Sequence, residues 1–140
     1  MSTALRIVKV GGSLLKLSDL AERLQRWLGQ QSPATSVLIA GGAALADQVR
    51  HWDEQFRLGE ETSHWLCVDV LDITAQLLKA LLPEAQVCWT YTALHNAIRA
   101  GHNATIVFPP AAFMGQRSEG DCLEWFKIGI LVYMRKRRFA

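Results

Sequence analysis

The chain has 140 residues, half of them apolar and a fifth charged, so it is long enough to bury one core and too short for two independent domains. The formal net charge is only +2, and the positive excess comes from one cluster, residues 135–138 (RKRR). Such a short basic cluster is typical of a solvated tail, so we expect no specific nucleic-acid partner. The longest late apolar run, IGILVYM, is too short to span a bilayer, so we expect no membrane partner either.

The cysteines and the N-terminus predict a location. Cys67, Cys88 and Cys122 are odd in number, lie far apart and contain no Cys-x-x-Cys pair, which is typical of reduced thiols. The first ten residues lack a long apolar run before a small-residue cleavage site, so we expect no secretory signal. We therefore predict a cytoplasmic protein.

The first predicted elements are two strands that end in glycine pairs. LRIVKV, residues 5–10, is rich in β-branched residues and stops at Gly11–Gly12. Ser18 is a candidate N-cap for the helix that follows, and Gly29 its candidate end. The second strand, SVLIAGG, repeats the pattern with Gly41–Gly42. The next helix has an apolar side formed by Leu45, Val49, Trp52 and Phe56.

The second half of the chain continues the alternation of helices and strands. A long helix is predicted from about Glu60 to Leu82, with an apolar stripe of Leu66, Val70, Ile73, Leu77 and Leu81. QVCWT, a helix near ALHNAIRAG that Gly101 ends, and the strand ATIVF follow. Strands separated by helices predict an α/β fold, a mostly parallel sheet with helices on both faces.

The glycine pairs predict a binding site. Ligands of open α/β sheets gather beyond the carboxyl ends of the strands, where glycine lets the backbone approach a phosphate closely. Lys9 adds a positive charge beside the first pair, which suits phosphoryl transfer. The simpler alternative is an ordinary turn, because KVGGS is neither the Walker pattern nor the dinucleotide fingerprint. Both interpretations stay open from the residues alone.

The same stretches resemble a known family. IVKVGGSLL looks like the opening of the amino acid kinase superfamily, and VLIAGGAALADQVR resembles its second glycine loop. GEETSHWLCVDVLDITAQLL is similar to an aspartate/glutamate/uridylate kinase-like branch found in bacteria and methanogens, some members of which phosphorylate an aminomethylfuran phosphate. The likeness covers roughly residues 5–114.

The resemblance implies roles for individual residues. Lys9 would contact phosphate oxygens of ATP and stabilise the transferring group, and Gly11, Gly12 and Ser13 would line the phosphate loop. Gly41 and Gly42 would lie beside the acceptor substrate. The implied cofactors are ATP and magnesium, and the chemistry needs no covalent enzyme intermediate.

Other polar residues are weaker candidates. His64 begins the long helix and is a candidate for contact with the acceptor, although an isolated histidine is more often a packing or capping residue. Asp69 and Asp72 share a helical face that would suit a cationic group or magnesium, but a solvated face is the favoured explanation. The sequence therefore assigns no metal ligand.

The resemblance ends after IVFPPAAFM. We divide the chain into a kinase-like region, residues 1–114, and a divergent tail with a basic C-terminus, residues 115–140. The tail carries Asp121 in a context unlike the family's motif, so no catalytic role is carried over to it. We expect the tail to pack poorly or to lie as a separate helix or strand on the sheet edge.

Three hypotheses follow. The first is an ATP-dependent small-molecule kinase acting on an acidic or phosphate-bearing acceptor, with little turnover because the nucleotide-binding half is missing. The second is a non-catalytic module of the same fold that binds an anionic metabolite or a partner chain. The third is an unrelated α/β domain for an anionic metabolite. An exposed sheet edge would also favour a homo-oligomer.

Overall fold

The computed structural model describes residues 4–110, and this part of the chain forms four strands, four α-helices and one short 3-10 helix. In chain order they are β1 (Leu5–Val10), the 3-10 helix (Gly12–Lys16), α1 (Leu20–Gln30), β2 (Thr35–Ala40), α2 (Ala43–Phe56), α3 (Glu60–Leu81), β3 (Gln86–Val87), α4 (Tyr91–Ala100) and β4 (Thr105–Val107).

The strands form one parallel sheet in the order β1-β2-β4-β3. Val10 lies opposite Ala40, and Leu38 lies opposite Val107, so the carboxyl ends of the strands meet at one edge. Parallel neighbours need crossover connections, which the helices supply. The predicted α/β class, with helices on both faces of a parallel sheet, is confirmed.

Each face of the sheet has its own core. On the first face, α1 and α3 cover Val8 and Val10 of β1, Leu38 and Ala40 of β2, and Val107 of β4. On the second face, α4 covers a smaller area, which contains Val37, Cys88, Leu94, Ile106 and Phe108. Successive strand residues alternate between the two clusters, as the pleat of a strand requires.

Helix α2 lies outside the sheet layer, where it packs on α3 and on the 3-10 helix. Only Val49 of its predicted apolar side is buried, while Leu45, Trp52 and Phe56 are exposed. The predicted stripe of α3 is also wrong in part, because Ile73 and Leu77 are exposed. The buried positions of α3 are Val68, Val70, Thr74, Ala75 and Leu78.

Three local predictions need correction. Gly11–Gly12 leads into a 3-10 helix, and α1 begins only at Leu20, after Asp19 in the N-cap position instead of Ser18. Gly29 lies inside α1, which ends one residue later. Gly101, by contrast, does end α4, in the left-handed conformation that glycine tolerates best (φ 67°). No helix within residues 4–110 combines the length and the apolar character needed to cross a bilayer.

Candidate functional site

The two glycine pairs lie side by side at the carboxyl edge of the sheet. The backbone N–H of Gly41 donates to the carbonyl oxygen of Val10 at 3.0 Å. A Cβ atom added to Gly12 would lie only 2.6 Å from both the N and the Cα of Ala43, and one added to Gly41 would lie 3.1 Å from the N of Gly12. The loops therefore pack backbone on backbone, and Gly12 is required by that contact whether or not a ligand binds.

Gly11 differs from Gly12 in its surroundings. A Cβ atom added there would meet no other atom within 4 Å among residues 4–110. Its φ of −61° and ψ of 147° are ordinary extended values that any residue adopts. Neither packing nor backbone conformation therefore explains a glycine at position 11, and the space beside its backbone is open.

Lys9 projects from the same side of the chain as Gly11, because side chains alternate along extended backbone. That side belongs to the second face of the sheet, since Val8 and Val10 pack on the first. Lys9 remains exposed, but the surrounding chain removes part of the water around its ammonium, and this burial lowers the pKa of Lys9 from its ordinary value of 10.5. The edge thus combines a cation with an accessible stretch of backbone.

Ala43, the first residue of α2, has a φ of 54°. A left-handed backbone costs a residue with a Cβ atom about 1–2 kcal/mol, and strain of this kind is concentrated at functional sites. Ala43 is also the residue against which Gly12 packs. The sequence has no signal for this conformation, because alanine is a residue for which a helical φ would be expected.

The connections that leave the carboxyl edge diverge. The chain leaves β1 and β2 toward α1 and α3 on the first face, whereas it leaves β3 toward α4 on the second. Ligands of open α/β sheets bind beyond the carboxyl ends of the strands, where connections diverge in this way. Thr90, whose hydroxyl accepts from the backbone N–H of Ala93 at 3.1 Å, begins α4 on the β3 side of this edge. A threonine before an apolar periodic run is a capping signal that sequence reasoning missed.

The remaining predicted site residues are Ser13, Gly42 and His64, and they do not all lie at the glycine loops. Ser13 is exposed in the 3-10 helix directly after Gly12. An added Cβ at Gly42 would lie 3.5 Å from Cγ1 of Val70, so this part of α3 faces the second loop. His64 precedes Val70 by six residues, about 9 Å along the helix axis, and its ring packs edge-on against Trp65 with centroids 5.2 Å apart. The structure thus groups Lys9 with the glycine pairs and Ser13, and places His64 nearer the start of α3 than the part that faces Gly42.

Asp69 and Asp72, the acidic pair of α3, repel each other. Burial, and then the neighbouring charge of Asp69, raise the pKa of Asp72. One carboxylate oxygen of Asp72, Oδ1, is buried without a hydrogen-bond partner among the described residues. Within residues 4–110, no three His, Cys, Asp or Glu side chains come together as metal ligands would.

Two comparisons with known proteins return nothing. The chain matches no known protein-family pattern, and no curated protein matches it.

Proposed function

We propose that the joined glycine loops bind the phosphate group of a small metabolite, with the backbone at Gly11 and the ammonium of Lys9 as its direct contacts. The observation that carries this proposal is the open space at Gly11, a glycine that packing does not require, on the same side as Lys9. Gly12 and Gly41 hold the two loops together, Gly42 faces Val70 of α3, and Ser13 lies next to Gly12.

We further propose that the activity of this site is ATP-dependent phosphoryl transfer to an acidic or phosphate-bearing acceptor. The support is the chemistry of the site, since phosphoryl transfer depends on positioning and on positive charge near the moving group. Lys9 would hold the phosphate oxygens of ATP, which supplies the γ-phosphoryl group, and the carboxyl edge between the second glycine loop and Thr90 would admit the acceptor. We assign magnesium to no residue. On this proposal the chain acts in the cytoplasm.

The binding experiment compares two lysines close together in sequence. Isothermal calorimetry with ATP and with inorganic phosphate should show weaker binding to Lys9→Ala than to the wild type. Lys16→Ala, at the end of the 3-10 helix, removes an exposed lysine from the same region and should bind like the wild type. Equal loss in both variants would indicate non-specific attraction, and no loss in Lys9→Ala would remove Lys9 from the site.

The turnover experiment follows labelled ATP with magnesium and a panel of acidic acceptors. We expect little or no turnover by this chain, because residues 115–140 are mostly apolar or basic and carry few groups that could hold a nucleotide with its magnesium. Lysine-dependent turnover on the order of 1 per second, typical of working kinases, would show that the site is complete. Binding of inorganic phosphate or an acidic metabolite without binding of ATP would favour the second candidate, a module that binds an anionic metabolite.

A further inference from the structure

One half of the second sheet face has no cover among the described residues. Leu5 and Ile7 of β1 are 50% and 67% exposed, and Ile39 of β2, on the same face, is only partly buried. These three residues, the β1 patch, lie on the face whose other half is covered by α4. Two adjacent parallel strands with apolar side chains on both faces are expected to be covered on both.

The course of the chain indicates which segment reaches this face. The connections from β1 to β2 and from β2 to β3 cross the sheet in the direction from β1 toward β3, and both pass over the first face. The connection from β3 to β4 runs back over the second face, as crossovers of a single hand require. A chain that continued from β4 toward β1 with the same hand would again pass over the second face, and therefore over the β1 patch.

The composition and reach of the remaining chain fit this position. Residues 111–140 follow β4, and within them residues 122–134, CLEWFKIGILVYM, are strongly apolar. The stretch from Pro110 to Cys122 spans up to about 40 Å when extended, whereas β1 lies two strand spacings, or roughly 10 Å, from β4. A tethered segment also has an effective concentration in the millimolar range, which favours it over a second copy of the chain.

We propose that residues 122–134 of the same chain pack on the β1 patch and bury Leu5, Ile7 and Ile39. The tail would then complete the second core instead of packing poorly. This proposal does not require a ligand at the phosphate site, although Lys9 lies opposite Ile39 on the same face of the sheet.

The first test uses the native thiol of Cys122 as a reporter. Its labelling rate, followed by peptide mapping in the full chain, should rise at least about tenfold in Ile7→Asp, because a buried charge opens the packed segment. Ile73→Asp, which replaces an isoleucine that is 54% exposed on α3, should leave the rate unchanged. If Ile7→Asp does not fold, Ile7→Thr replaces it as the test variant, because threonine keeps the strand preference of the position. Ile7→Thr should also raise the labelling rate of Cys122.

The outcomes separate the possible occupants of the patch. An unchanged Cys122 rate in both Ile7 variants, or an equal rise in Ile73→Asp, would overturn the proposal. Protection of Cys122 that increases with protein concentration would also overturn it, in favour of a second copy.

The second test is a short amine cross-linker applied to the monomer. Lys9 lies on the second face beside the β1 patch, and Lys127 lies in the middle of the proposed segment. Lys79 is the matched control, because it projects from α3 and donates to the carbonyl oxygens of Pro83 and Ala85 at the far end of that helix. We expect a link from Lys127 to Lys9 and none to Lys79, and the absence of the Lys9 link would contradict the proposal.

Discussion

Lys9 is the residue whose environment differs most from what its sequence position suggests. An exposed lysine at the end of a strand would be expected to titrate as in water, but partial burial lowers its pKa below 10.5. The same burial leaves it next to an open stretch of backbone at Gly11. A lysine placed in this way loses its charge at a lower pH than the other lysines of a protein surface.

This shift predicts a pH dependence. Phosphate affinity should fall as the pH rises through the lowered pKa of Lys9, because the neutral amine no longer attracts the anion. Lys9→Arg should retain affinity to higher pH, since the guanidinium stays protonated. Calorimetry with inorganic phosphate between pH 7 and 10.5 measures both, and identical profiles for the two proteins would exclude Lys9 as the titrating contact.

The lowered pKa also has a consequence for stability in the absence of ligand. Between the folded pKa and the ordinary value, the unfolded chain binds the proton more tightly than the folded chain. The free energy of unfolding should therefore rise with pH across that window. Because Lys9 is exposed, water screens the charge and the rise should be small.

At the scale of elements, the main result is that two loops of similar sequence pattern form one unit. The backbone of the β1 loop rests on the start of α2, and the strain at Ala43 is held in place by that contact. The glycines of this unit are not equivalent, because Gly12 faces backbone and Gly11 faces open space.

A matched pair of substitutions tests this difference. Gly12→Ala should lower the free energy of unfolding by about 1–3 kcal/mol, because backbone atoms of Ala43 must move. Gly11→Ala should leave stability unchanged or raise it by up to about 1 kcal/mol, while weakening phosphate binding. Urea denaturation and calorimetry on both variants provide the comparison. Equal destabilisation by the two variants would contradict the assigned contacts.

At the scale of the whole molecule, the second core is the smaller one and Cys88 lies within it. Cys88 is fully buried, and burial raises the pKa of its thiol, so the reactive thiolate is scarce at neutral pH. Cys67 lies on α3, is only partly buried, and also has a pKa raised by burial.

We therefore predict two labelling regimes. Cys88 should react with a thiol reagent only when the chain unfolds globally, and its rate should follow the unfolding equilibrium in urea. Cys67 should react without global unfolding, although more slowly than a free thiol. Peptide mapping distinguishes the two sites, and rapid reaction of Cys88 in native buffer would show that the second core opens locally.

The sequence by itself determined the number and order of the strands and α-helices between residues 5 and 107, because hydrophobic periodicity, glycine and proline are local signals. It also indicated that both glycine pairs follow parallel strands. It did not predict the 3-10 helix after Gly12 or the buried side of α3, since burial depends on what packs against each face.

Only the tertiary structure decided which glycine serves packing and which faces open space among the described residues. That distinction depends on the approach of Gly12 to Ala43, two residues from different loops, and no local pattern encodes a contact between them. The strand order was decided in the same way. Long-range pairing places β4 between β2 and β3, and within residues 4–110 this order leaves Leu5 and Ile7 on an edge strand with one face exposed.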